Sequence, residues 1–216
     1  MWHSAPVGAG KPELRAFITD RRRALSGPAR TSAADRLRDV ALARRELIAA
    51  RTVAVYASIG TEPGTGPLLA AFAARGTRVL LPVLLPDADL DWAVHQPTEL
   101  LVPGPRGLRE PVGPRLGTAA IATVDAAVVP GLAADRRGAR LGRGGGSYDR
   151  ALARVPDRTP VLLLLYDDEL LDHVPHEPHD RRVDVVLTPS GAVVLSPPPP
   201  PSRASAHRWR GSGEGR

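Results

Sequence analysis

The sequence predicts an α/β fold: a single Rossmann-like three-layer domain with a mainly parallel sheet flanked by helices. Three observations predict it. Short β-rich runs alternate with segments of helical spacing, which is the signature of βαβ units. Several of the runs, such as VLLLLY (Val161–Tyr166), read as fully buried strands. The length of 216 residues suits one sizeable domain, and a domain of that size can bury roughly 70% of its unfolded surface.

The elements follow in order. Leu14, Phe17, Ile18 and Leu25 stand at helical spacing, and Pro12 suits a first-turn position, so a helix is expected over Lys11–Leu25. Ser26-Gly27-Pro28 breaks it. A second helix is expected from Pro28 to Ala49, with Leu37, Val40, Ala41, Leu42 and Leu47 inward. TVAVYAS (Thr52–Ser58) reads as a strand, PLLAAFAA (Pro67–Ala74) as a helix and RVLLPV (Arg78–Val83) as the next strand. LDWAVHQ (Leu90–Gln96) alternates and is expected to be a more exposed strand, with Trp92 half-buried in it. The Pro- and Gly-rich residues 97–119 read as a long ordered loop. Buried strands are expected at Val124–Pro130, Val161–Tyr166 and Val183–Thr188, and the acidic DDEL (Asp167–Leu170) as a solvated helix start. Ligands of such sheets sit at the carboxyl ends of the strands. That puts the loops after Ser58, Val83, Pro130 and Tyr166 on one rim. The domain proper is expected over 11–195, with a flexible N-terminus at 1–10. A Pro/Ser/Arg-rich tail at 196–216 has the composition of a disordered segment.

Composition narrows the function classes. There is no cysteine, which excludes disulfides and thiolate metal sites. MWHSAPVGAGK has no apolar core for a signal peptide, and the apolar runs are too short to cross a bilayer, so a cytoplasmic location is expected. Alanine and arginine abound, as a GC-rich genome would dictate, while Lys11 is the only lysine. The net charge of +6 is uneven: residues 1–45 carry ten Lys/Arg against four acids, and residues 46–202 carry fifteen against eighteen. Basic ends can neutralise nucleic-acid phosphates, bind a small polyanion, or be a solvated face that binds nothing.

RLGRGGGSYDRAL (Arg140–Leu152) carries the chemistry. A glycine run lets backbone N–H groups approach an anion with no Cβ in the way. A helix starting near Ser147 would add donors and a favourable dipole. Arg140, Arg143 and Arg150 supply positive charge, and Asp149 could hold a Mg²⁺ that bridges phosphates. The segment reads as a nucleotide-phosphate cradle. It has no Gly-Lys-Ser/Thr, and Ser147 stands in place of the third glycine of a dinucleotide motif, so neither common fingerprint applies. On residue chemistry alone a tight strand-to-helix turn that binds nothing also fits.

The run PGLAADRRGARLGRGGGSYDRAL (Pro130–Leu152) resembles the signature of the 5-formyltetrahydrofolate cyclo-ligase family. KPELR (Lys11–Arg15), TEPGT (Thr61–Thr65), LPV (Leu81–Val83), GLREP (Gly107–Pro111) and HEPHDRRVDVVLT (His176–Thr188) are similar to further blocks of that family, in its order. The resemblance covers about residues 11–190. It implies ATP-dependent closure of 5-formyltetrahydrofolate to 5,10-methenyltetrahydrofolate, with ATP as co-substrate and Mg²⁺. It implies an ATP site of Lys11, Arg15, Arg140, Leu141, Gly142, Arg143, Gly144, Gly145, Gly146, Ser147 and Tyr148. The implied substrate contacts are Ala57, Glu62, Arg143, Gly144, Gly145, Gly146 and Ser147, and the implied metal ligands are Asp149 and Asp180. Arg143, Tyr148 and Lys11 are the implied catalytic residues. Ser147 departs from the family, which commonly carries an aromatic there; a serine cannot stack on a pterin, and Trp92 is a candidate to compensate. Replacing Arg143 or Asp149 by Ala is expected to abolish turnover with little change in melting temperature.

Other readings compete. Basic terminal segments suit a nucleic-acid-binding protein, although aromatics interleaved with arginines are lacking there. A related phosphate-binding enzyme, such as a sugar-phosphate isomerase or a CoA transferase, needs neither the Lys-x-x-x-Arg nor a magnesium carboxylate pair. Ser147 alone suggests a homologue that binds without turnover. His173, His176 and His179 stand three apart, as zinc ligands can, but Pro175 and Pro178 keep them off one helix face. The expected protein is a monomer acting on a small molecule, with no nucleic-acid or membrane partner.

Overall fold

The computed structural model describes residues 8–177 and 181–195. The residues assigned to the terminal tail, and most of those assigned to the N-terminal segment, lie outside them.

Five parallel strands make the centre of the sheet: β1 (Thr52–Ala54), β2 (Arg78–Leu84), β6 (Ala126–Pro130), β9 (Val161–Leu164) and β11 (Val185–Thr188). Two antiparallel edge strands complete it, β3 (Leu90–Val94) beside β2 and β12 (Gly191–Val194) beside β11, in the order β12-β11-β9-β6-β1-β2-β3. Alternate strand residues face opposite layers. Val53, Leu81, Val128 and Leu164 meet α2 (Gly27–Leu42), α3 (Arg45–Ile48) and α4 (Gly66–Ala74) through Leu37, Leu47 and Phe72. Ala54, Leu80, Val129 and Leu163 meet Ile121, from a 3-10 segment at Thr118–Thr123, and Leu152 of α5 (Ser147–Leu152). The three layers predicted from sequence are therefore present, and burial on both faces explains the unbroken apolar runs.

Pro82 lies inside β2 without disturbing it. It shares the parity of Leu80, whose carbonyl accepts from Val55 N, so its missing N–H falls on the β1 side, beyond the end of β1. One position further along that side, Leu84 N donates to Glu110 at 2.9 Å.

A small second sheet was not anticipated. β7 (Ala133–Asp135) pairs with β8 (Arg140–Leu141) and β10 (Leu170–Leu171), and α1 (Lys11–Ala24) packs on it through Leu14 and Ile18. Residues 97–119 form the ordered connection expected, with a ribbon of β4 (Val102–Pro103) and β5 (Arg109–Glu110) inside it.

Four expectations need correction. The second helix stops at Leu42 rather than Ala49, because Arg44 turns extended and swings Leu47 into the core. The first strand ends at Ala54 rather than Ser58; residues 56–58 leave the sheet for the rim. β3 is not exposed: the backbone folds back across it, with Leu116 N donating to Trp92 O, and Trp92 is 1% exposed rather than half-buried. The DDEL stretch is one 3-10 turn, and its Glu169 is buried against Arg22 instead of solvated.

Candidate active site

From β1 the chain moves one way along the sheet, to β2 and β3, and then returns to lay β6, β9 and β11 on the other side of β1. The crevice between β1 and β6 is thus a topological switch point, where open α/β sheets bind ligands. A cavity of about 320 Å³ opens there, lined by Tyr56 and Ala57 after β1, Pro130 and Gly131 after β6, and Pro82 and Leu84 at the end of β2. Leu90, Leu108 and Ile59 add an apolar wall, and the glycine run closes the opposite side.

The loop after β1 is held stiffly. Ser58 and Thr65 exchange hydrogen bonds from backbone N to side-chain O at 3.0 Å each, and the Tyr56 hydroxyl donates to Pro63 O at 3.0 Å. Glu62 is fixed within it, accepting from Ile59 N at 2.9 Å, with its side chain 9% exposed. Burial pushes the Glu62 carboxyl up from its ordinary range, opposed by that N–H and by the Arg143 charge. Arg143 reaches it from across the cavity, Nη2 to Oε1 at 3.3 Å. One ion pair therefore joins the glycine run to the β1 loop.

The naked backbone has a conformational cause. Gly144 and Gly146 sit at φ of 95° and 69°, where a Cβ is strained. Gly146 is also the residue from which α5 starts, at Ser147, as the sequence predicts. The run is wrapped by guanidinium groups. A Cβ at Gly142 would lie 3.2 Å from Arg140, at Gly144 3.3 Å from Arg15, at Gly145 3.3 Å from Arg106, and at Gly146 3.1 Å from Arg150. Those tips could move aside, so positive φ is the firmer demand for glycine.

Arg140 is buried. It donates to Pro130 O at 3.1 Å and to Asp149 Oδ1 at 2.5 Å, and lies 5.8 Å from the centre of the Tyr148 ring. The Tyr148 hydroxyl is buried with no partner among the described residues. Burial and the Glu62 charge raise the Tyr148 pKa, against the pull of Arg140, so the phenol stays neutral. It can donate a hydrogen bond but not serve as a base near neutrality.

Most of the sequence-predicted residues meet here: Ala57, Glu62, Arg140, Gly142, Arg143, Gly144, Gly145, Gly146, Ser147, Tyr148 and Asp149 all line the cavity. Arg15 approaches from α1 and donates to Gly142 O at 2.9 Å. Lys11, one turn earlier, pairs with Glu177 at 3.3 Å. Leu141 is buried in the core under α1 and does not line the cavity. Asp180 and His179 lie outside the described residues. His173 stands 4.0 Å from Asp135 and His176 2.9 Å from Arg182, and no group of three or more potential metal ligands occurs among the described residues. Trp92 is buried away from the cavity, so it cannot stand in for the aromatic absent at Ser147.

Asp149 is the carboxylate available to a metal. Its Oδ1 accepts from Arg140, while Oδ2 accepts nothing among the described residues. One carboxylate suits Mg²⁺, which keeps water and phosphate oxygens as its remaining ligands. The pairing also corrects an expectation. Asp149→Ala would leave the buried Arg140 without its carboxylate, so the melting temperature should fall rather than hold.

A switch-point cavity with an arginine-wrapped glycine run on one side and a buried carboxylate on the other places the chain among α/β proteins whose ligand crevice lies at the carboxyl ends of the strands. Comparison with known proteins narrows the class. Residues 7–189 match the model of the 5-formyltetrahydrofolate cyclo-ligase family, and the chain belongs to that family. It is 41% identical over 189 residues to a 5-formyltetrahydrofolate cyclo-ligase of Mycolicibacterium smegmatis, covering 85% of this chain and 96% of the relative. The Escherichia coli cyclo-ligase is 31% identical over 177 residues, with 81% and 97% covered. Among solved structures, the 5,10-methenyltetrahydrofolate synthetase of Aquifex aeolicus aligns with a TM-score of 0.74 at 29% identity, covering 91% of this chain and 98% of that one.

Proposed function

We propose that the chain converts 5-formyltetrahydrofolate and Mg-ATP to 5,10-methenyltetrahydrofolate, ADP and phosphate. The observation that carries this reading is the Arg143–Glu62 contact at 3.3 Å. It joins the glycine run to the buried Glu62 across one cavity, which supports a reaction between two ligands held side by side.

A formamide carbon is a poor electrophile, and its oxygen is a poor leaving group. In the proposed reaction the formyl oxygen attacks the γ-phosphorus and the bond to the β–γ bridging oxygen breaks, releasing ADP. N10 of the same folate then adds to the activated carbon. The C–O bond breaks, phosphate departs, and the N10 proton passes to solvent. Ring closure is intramolecular, so the protein's work is to align two ligands and to neutralise charge in the phosphoryl transfer.

The residues divide accordingly. Lys11, Arg15, Arg140 and the amides of Gly142 to Gly146 hold the polyphosphate, Lys11 as a point charge and the arginines as forks. Arg143 spans the two ligands. The Tyr148 hydroxyl, neutral and unpartnered, donates to an oxygen in the cavity. Glu62 accepts from pterin donors, and the backbone at Ala57 and Ser147 flanks the substrate. Asp149 would hold Mg²⁺, which would supply charge neutralisation on the phosphates; Asp180, the second ligand the resemblance implies, lies outside the described residues. The protein is read as a cytoplasmic monomer with small-molecule partners. No helix among the described residues is long and apolar enough to cross a membrane.

The test mixes protein, Mg-ATP and 5-formyltetrahydrofolate and follows the absorbance of the methenyl product. Product that needs ATP and matches ADP released supports the reading. A folded protein giving no product, or product without ATP, removes it.

A further inference from the structure

The ribbon of β4 and β5 brings one more cation to the glycine run, and no hydrogen bond or ion pair among the described residues uses it. Arg106, at the tip of the ribbon, is exposed, and its Nη1 lies 3.3 Å from where a Cβ on Gly145 would stand. Its guanidinium has no carboxylate or carbonyl partner among the described residues. Arg140, Arg15 and Arg150, its counterparts around the other glycines, each donate to a protein acceptor.

The tip is built rather than draped. Glu110, 7% exposed, accepts from Leu84 N at 2.9 Å and ties the ribbon to the end of β2. Gly104 packs so closely on that carboxylate that a Cβ there would lie 2.5 Å from Glu110 Cδ. Arg109 braces the other strand by donating to Leu101 O at 2.9 Å. Arg106 itself has φ 56°, one of two non-glycine residues in the left-handed region among the described residues. A flexible side chain held at that cost, over a glycine run, by a buried anchor, is the arrangement seen where local strain serves a ligand.

We infer that Arg106 is a further phosphate-binding residue, which grips the ATP polyphosphate from the β4–β5 ribbon. The inference rests on the function proposed above. The electrostatics favour a polyanion: Arg15, Arg106, Arg140, Arg143 and Arg150 surround the run, while Glu62 and Asp149 are the carboxylates that line the cavity among the described residues. The position favours phosphate over a folate carboxylate, because Arg106 rests on Gly145, in the middle of the amides that the polyphosphate would meet. An arginine fork answers tetrahedral phosphate oxygens well.

Arg106→Gly tests this, because glycine relieves the left-handed backbone while removing the charge. The expected variant melts no lower than the parent. Its KM for ATP rises at least about tenfold, the loss of one charge-assisted contact, while its KM for 5-formyltetrahydrofolate stays within twofold. Arg106→Lys recovers part of the ATP affinity. An unchanged KM for ATP overturns the inference, as does an equal rise in both constants or a rise confined to the folate. If the parent makes no product, the proposed function fails by itself. Titration calorimetry with a non-hydrolysable ATP analogue and Mg²⁺ then decides Arg106: weaker binding to Arg106→Gly than to the parent sustains it, and equal or absent binding removes it.

Discussion

Glu62 keeps a carboxylate where water is scarce, and that has a sign that can be measured. Its pKa is raised by burial. Between the ordinary glutamate value and the raised one, the native state binds more protons than the unfolded state. Stability contributed by the protonated group is therefore lost as pH rises through that window. Glu62→Gln, neutral at every pH, should melt higher than the parent at neutral pH and converge with it in acid. A lower melting temperature for Glu62→Gln at neutral pH would contradict the account. Arg143 opposes the shift, so Arg143→Ala should raise the Glu62 pKa further. The pH at which Glu62 protonates, followed by carboxyl NMR of the folded variant, would then move higher, and stability at neutral pH would fall only slightly, because Arg143 is 54% exposed and solvent screens its charge. Stability is here given up for function, as happens at sites that must hold an uncomfortable group ready.

At the scale of elements, the placement of α1 decides whether Arg15 reaches the glycine run. Its far end is pinned by Arg22, 1% exposed, which meets Glu169 at 2.6 and 2.7 Å and donates to Gly131 O at 2.7 Å on the cavity rim. Burial disfavours the Arg22 cation, and the hydrogen bond and charge of Glu169 outweigh it, so its pKa is raised. Glu169→Gln should cost about 3–5 kcal/mol, because it strands a buried charge, and should weaken ATP binding as α1 loosens. Arg22→Met with Glu169→Leu should recover much of the stability, read by denaturant unfolding. Sequence reading missed this pin for a physical reason: Arg22 and Glu169 are 147 residues apart, and each sits in a charged stretch that looks solvated. It missed β7, β8 and β10 because two- and three-residue strands carry no period. The central strands were legible because both faces are buried and long apolar runs result. Trp92 misled through the alternation of its strand: Arg115 pairs along the outer edge and Ile121 packs on the Trp92 face, so the indole meets protein rather than water.

For the whole molecule, the site gathers segments far apart in the chain: α1, the β1 loop, the β4–β5 ribbon and the glycine run. The glycine run was legible as a candidate cradle from its own residue types, whereas Glu62 was singled out only through the family resemblance. Their meeting through Arg143 was not legible, since a contact between loops after different strands depends on strand order, which no local pattern encodes. Arg106 was hidden for a related reason: Pro-Arg-Gly in a Pro-rich connection reads as a turn, and only the fold lays it on Gly145. The central claim is that bare amides and guanidinium groups hold ATP phosphates within reach of a folate bound at Glu62. A crystal structure with a non-hydrolysable ATP analogue, Mg²⁺ and 5-formyltetrahydrofolate tests it most directly. The account predicts phosphate oxygens on the Gly142 to Gly146 amides, with the formyl oxygen facing the γ-phosphorus. Phosphates bound elsewhere, or a pterin away from Glu62, would contradict it.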